Sequence, residues 1–177
     1  MAEKLNHQLS LLYFDAHPDL YVRYDNTLYS HATVVSRILD KRGASSGAVF
    51  YVGIRASTRE QDERIKSLNL KEFTARDVYT EGCEAVSSSA SELLKGPVYL
   101  SIDLDCLDPA YAPGVGNPQA GGLTTRQLID ILHGLDGLQI VAADIVEYSP
   151  ICDTNARTTA FTAAILVKEL MGVMGKS

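Results

Sequence analysis

Five short apolar runs, at residues 11–14, 48–54, 70–73, 98–103 and 139–145, alternate with amphipathic stretches at 30–41, 58–68, 84–94, 125–135 and 157–174. Four of the runs are continuously apolar, and the one at 70–73 is weaker. A strand wetted on one side alternates apolar and polar residues, whereas an unbroken apolar strand is covered on both faces, as in a parallel sheet. Strand followed by helix, repeated along one continuous stretch of 177 residues, predicts a single α/β domain: an open parallel sheet with right-handed crossovers. The helix at 125–135 carries the clearest signals. Thr124 or Thr125 can cap it, Leu128, Ile129, Leu132 and Leu135 form one stripe, and Gly134 and Gly137 end it.

Two of these runs end in acid. "LLYFDAHPDL", residues 11–20, places Asp15, His17 and Asp19 two apart immediately after a buried strand. If the backbone stays extended, all three side chains point to one face. "YLSIDLDCLDPAYAPG", residues 99–114, repeats the arrangement with Asp103 and Asp105. Cys106, pointing the other way, reads as a core residue. Either cluster alone also suits a solvated strand end. Together, at the carboxyl ends of strands where open α/β sheets bind ligands, they point to one site. Four carboxylates converging there would repel or protonate unless cations neutralise them. Carboxylate and imidazole donors without thiolate favour Mn²⁺, Mg²⁺ or Fe²⁺, and a pair of such ions can activate water for hydrolysis.

Bulk properties exclude several alternatives. The net charge of −6 disfavours nucleic acid as a partner and suits cations. No apolar run approaches membrane-spanning length, and "MAEKLNHQLS" lacks a signal-peptide core. The three cysteines, Cys83, Cys106 and Cys152, leave one over in any disulfide scheme, which predicts a reducing cytoplasm.

"FDAHPD", "SIDLDCLDPAYAPG" with "GGLTTRQL", and "ADIVEYSP" resemble, in chain order, three signatures of the ureohydrolases, the arginase and agmatinase family of dimanganese amidinohydrolases. The resemblance runs from about Leu11 to the C-terminus. It implies a three-layer αβα, arginase/deacetylase-like fold and two Mn²⁺ ions. Asp15 and Asp103 would bridge both metals, His17 and Asp105 would complete the second, and Asp19 would bind the first. Glu147 would pair with the guanidinium of a small cationic substrate, a geometry that a planar carboxylate matches. His31, in "YSHATVVSRI", resembles the family histidine at the active-site mouth, so Asp19 or His31 would move protons. His7 and His133 have no such context. The loop "PGVGNPQAGG", residues 113–122, is closer to agmatinase-like members, although other segments also resemble plant arginases. The implied activity is hydrolysis of agmatine to putrescine and urea. The alternatives are arginine hydrolysis and a non-catalytic ureohydrolase-like protein.

The family also has a Gly-Gly-Asp-His type turn whose histidine binds the first metal, and "EKLNHQLS" does not match it. The resemblance therefore implies a domain over residues 1–177 lacking the family's N-terminal third, with one metal held well and the other weakly. The five retained strands would stay contiguous in the order 3-2-1-4-5. The fifth would lose a neighbour, which predicts self-association, a partner segment at that edge, or poor solubility.

Overall fold

A computed structural model of the protein describes residues 9–42 and 49–175. The apolar runs form β1 (Ser10–Phe14), β2 (Val49–Ile54), β3 (Lys71–Thr74), β4 (Pro97–Asp103) and β5 (Gln139–Val146). All pairings are parallel, and the order is β3-β2-β1-β4-β5. The expected order therefore holds, with β1 at the centre and the winding reversing between β1 and β4. His7 and the first residue of the expected run at 48–54 lie outside the described residues.

The helices are α1 (Val34–Arg42), α2 (Arg59–Ser67), α3 (Ala75–Glu81), α4 (Cys83–Leu93), α5 (Thr125–His133) and α6 (Thr158–Met174). The strand pleat sorts them into layers. Leu12 and Phe14 of β1 share a core with residues of α3, α4, α5 and α6, such as Val78, Val86, Leu132 and Leu166. Leu11 and Tyr13 instead pack with Val35 and Leu39 of α1 and Ile65 of α2. Helices thus cover both faces of one parallel sheet, a three-layer α/β arrangement.

Local chemistry explains the boundaries. At α5, the Thr124 hydroxyl accepts from Gln127 N at 3.1 Å while Gln127 Oε1 accepts from Thr124 N at 2.9 Å, a reciprocal cap. Leu128, Ile131 and Leu132 are then buried on one side. Truncating Leu132 to Ala would cost about 2–5 kcal/mol. The helix α3 was not expected from the sequence. Thr74 and Asp77 cap it by the same reciprocal pattern, at 3.1 and 2.9 Å. Among the described residues, no helix is long and apolar enough to cross a membrane.

Candidate metal centre

The carboxyl ends of β1 and β4 stand side by side, with Phe14 paired to Ile102. The expected reason for the convergence of the acids needs correction, because neither segment continues as a strand. β1 stops at Phe14 and β4 at Asp103. Beyond β1 the chain turns, and Asp19 takes a left-handed φ of 46°. Pro18 has no N–H to offer a sheet, and its carbonyl accepts from the buried Tyr51 hydroxyl at 2.9 Å. Beyond β4, Asp103 Oδ1 accepts from Asp105 N at 2.9 Å and caps a 3₁₀ turn, Leu104–Cys106. Turns, rather than strand alternation, aim these side chains.

The result is a tight polar group. Asp15, His17 and Asp105 offer ligand atoms that all lie within 4.8 Å of one another. His17 Nδ1 is 2.9 Å from Asp105 Oδ2 and 3.4 Å from Asp15 Oδ1. Asp105 Oδ1 accepts from Ala16 N at 3.0 Å, and Asp15 Oδ1 from His17 N at 2.6 Å. Asp19 Oδ2 accepts from the Tyr13 hydroxyl at 2.8 Å. These groups, with Asp103, His31, Glu147 and Asn117, line one cavity of about 530 Å³. All seven residues singled out in the sequence border it.

Electrostatics mark the group as short of positive charge. Burial, reinforced by the charges of Asp15 and Asp105, pushes the Asp103 carboxyl up to about 10. Burial also raises Asp15, against the hydrogen bond from His17, and lifts Asp19 to about 6 against the hydrogen bond from Tyr13. For His17, burial opposes the charged form, but hydrogen bonds to Asp105 and Asp15 outweigh it and raise the imidazole to about 10. Asp105 moves the other way: burial is outweighed by the His17 and Ala16 donors, and its carboxyl is lowered. Asp15 Oδ2 is buried and has no hydrogen-bond partner. A buried acceptor without a donor, beside an imidazole and two further carboxylates, fits a divalent cation. Cys106 is fully buried in the apolar core, as expected, and offers no thiolate here.

Two residues stand at the rim. Glu147 follows β5 with a left-handed φ of 65°. A Cβ on Gly116 would meet its Oε2 at 3.6 Å, so the two loops lie close. His31 opens a 3₁₀ turn capped by Ser30, exposed and 5.7 Å from the Tyr24 ring. Sequence pattern alone does not mark Tyr13, Asn117 or Arg55, although Tyr13 sits two residues before Asp15. His133 lies away from the cavity, its Nε2 2.7 Å from Glu169 Oε2 on α6.

The family model for the arginase family matches residues 1–172. The chain belongs to the arginase family. Over 176 residues it is 40% identical to arginase 1, mitochondrial, of Oryza sativa subsp. indica, covering 99% of this chain and 51% of that protein. It is 35% identical to guanidinopropionase of Pseudomonas aeruginosa, covering 96% and 54% respectively. The crystal structure of a hypothetical agmatinase from Burkholderia thailandensis superposes with a TM-score of 0.86 at 34% identity, covering 97% of this chain and 52% of that one. This arginase-family chain therefore spans about half the length of the relatives it matches.

Proposed function

We propose that this chain carries the cation-binding and guanidinium-binding part of a manganese-dependent hydrolase, with agmatine preferred to arginine and putrescine and urea as products. The observation that carries the reading is the shared cavity: the Asp15–His17–Asp105 group and Glu147 line the same space. Asp15, His17, Asp103 and Asp105 would hold the tighter ion, and Asp15, Asp103 and Asp19 the weaker. Hard oxygen and imidazole donors without thiolate suit Mn²⁺. When bound, the ions supply Lewis-acid activation of water near neutral pH.

The chain's own groups do the rest. Glu147 orients the planar guanidinium through paired, charge-assisted hydrogen bonds. Asp19 or His31, which line the same cavity, would move protons between the attacking water and the departing amine nitrogen. Among the described residues lining the cavity there is no lysine or arginine. The α-carboxylate of arginine would meet no lysine or arginine side chain among the described residues lining the cavity, whereas agmatine has no carboxylate to accommodate.

The test is metal counting on protein purified with Mn²⁺, followed by urea release from agmatine, arginine and guanidinobutyrate. Bound Mn²⁺ with urea from agmatine is the expected result. Bound Mn²⁺ without urea from any of the three would leave a cation-binding chain and end the hydrolase reading.

A further inference from the structure

Arg55, just beyond β2, is where three segments of the site meet. Its N–H donates to Ala16 O at 2.9 Å, joined by Ala56 N–H at 3.0 Å, which ties it to the turn carrying Asp15 and His17. Its side chain, partly buried, donates only to backbone carbonyls. Nη2 reaches Asp105 O at 2.8 Å, Gln119 O at 2.6 Å and Leu107 O at 3.2 Å. Nη1 reaches Gly53 O at 3.1 Å and Cys106 O at 3.3 Å, and Nε reaches Ala120 O at 3.2 Å. A rigid fork with five N–H donors can bridge two separate segments this way, whereas an ammonium with three donors at one point cannot. The loop closes over the guanidinium because residue 122 is glycine: a Cβ there would lie 2.6 Å from Arg55 Nη2.

The two stapled segments hold the His17 ring from both sides. The 104–106 turn supplies Asp105, 2.9 Å from Nδ1. The 117–122 loop supplies Asn117, whose amide lies 3.0 Å from Nε2. An imidazole that coordinates through one nitrogen is oriented by a hydrogen bond at the other, and the Asn amide can accept or donate once turned.

We propose that Arg55 is a positioning residue that fixes the Asp105 turn and the Asn117 loop in one register, so that both nitrogens of the His17 ring are held. Its consequence for metal affinity rests on the cation-binding reading above; its effect on the ring does not.

The experiment records ring ¹⁵N NMR shifts of His17 in the metal-free protein for wild type, Arg55→Lys and Asn117→Ala, with melting curves and Mn²⁺ titration calorimetry on each. In Arg55→Lys both ring shifts move toward those of a solvated imidazole, and Mn²⁺ affinity falls about 10- to 100-fold. Asn117→Ala reproduces the Nε2 shift alone, with an unchanged melting temperature. A lower melting temperature in Arg55→Lys with both ring shifts and Mn²⁺ affinity unaltered overturns the proposal and leaves Arg55 a simple staple. If Arg55→Lys does not fold, Asn117→Ala decides: Asn117 is exposed, and an unmoved Nε2 shift overturns the relay. Should the ring respond while wild type binds no Mn²⁺, the positioning role stands and the metal reading fails.

Discussion

The Tyr13 hydroxyl donates to Asp19 Oδ2 at 2.8 Å, reaching back from the central strand to a residue held in a left-handed backbone conformation. Tyr13 is itself buried and packs edge-on against Tyr51, with ring centroids 5.8 Å apart. A donor fixed so firmly stabilises the Asp19 carboxylate over its acid. Tyr13→Phe should therefore raise the Asp19 titration midpoint above about 6 and cost roughly 1–3 kcal/mol of stability. Carboxyl ¹³C NMR of the metal-free protein, with a denaturant melt, checks both. A midpoint that falls in the variant would remove the hydroxyl from any role at Asp19.

Asp15→Asn separates stability from cation binding. The substitution keeps the shape and removes a buried titratable carboxyl whose Oδ2 has no hydrogen-bond partner. The metal-free variant should melt at the same temperature as wild type or higher, as expected where a site is held against stability. Its Mn²⁺ affinity should fall by about 100-fold or more, in line with loss of a liganding charge. Titration calorimetry beside thermal melts is sufficient, and an unimpaired affinity would remove Asp15 from the ligand set.

Stability of the metal-free chain should fall as pH rises from 5 to 9. Asp103 at about 10, Asp19 at about 6 and His17 at about 10 all stand above their ordinary values, and Asp15 is raised too. The folded state thus holds protons that the unfolded chain has released, so the stabilisation is complete below the unfolded values and fades toward the folded ones. Asp105 is lowered, and its contribution is lost only in stronger acid, below this window. Added Mn²⁺ displaces the same protons, so its stabilising shift should grow with pH. Melts at pH 5, 7 and 9 with and without Mn²⁺ read the sign directly; a metal-free melting temperature that climbs with pH contradicts it.

Glu147→Gln should weaken agmatine binding more than turnover. It would remove the carboxylate that we propose pairs with the guanidinium while leaving Asp15, His17 and Asp105 in place. Loss of a charge-assisted hydrogen bond of about 1.5–3 kcal/mol corresponds to roughly a 10- to 150-fold rise in KM, with kcat changed far less. A steady-state urea assay distinguishes this from a kcat defect, which would assign Glu147 to the chemical step instead.

The exposed side of α6 and the end of β5 should drive self-association. Phe161, Ile165, Val167 and Met171 on α6 are 67, 47, 47 and 70% exposed, and Ile151 in the preceding loop is 94% exposed. Among the described residues, β5 has a strand on one side only. An apolar face beside an open strand edge is a template for pairing. Sedimentation velocity over a concentration series should reveal association that Phe161→Glu weakens; a monomer at every concentration would refute it.

The strand positions, the two acidic clusters and the core role of Cys106 were legible in the sequence because each depends on local pattern, whereas the sheet order was an implication of the family resemblance. Apolar runs mark covered strands, and a cluster after such a run marks a ligand-binding edge. The reason for the convergence was not legible. Strand alternation would need extension beyond Phe14, but Pro18 and the left-handed Asp19 turn the chain, and Asp103 caps a 3₁₀ turn that presents Asp105. The helix α3 hid in an unremarked Thr-x-x-Asp box at Thr74 and Asp77. Arg55 was invisible for a different reason. Its partners are carbonyl groups, which every residue carries, and only the tertiary arrangement brings them within its reach.

The central place of β1 has a consequence for biosynthesis. Ser10–Phe14 is made before either neighbour, and its second neighbour, β4, ends at Asp103. At translation rates of about 5–20 residues per second, a nascent chain carries this largely apolar segment with at least one flank open for on the order of 4 to 18 s before β4 leaves the ribosome. During that interval it is a natural client for chaperones that shield extended apolar segments.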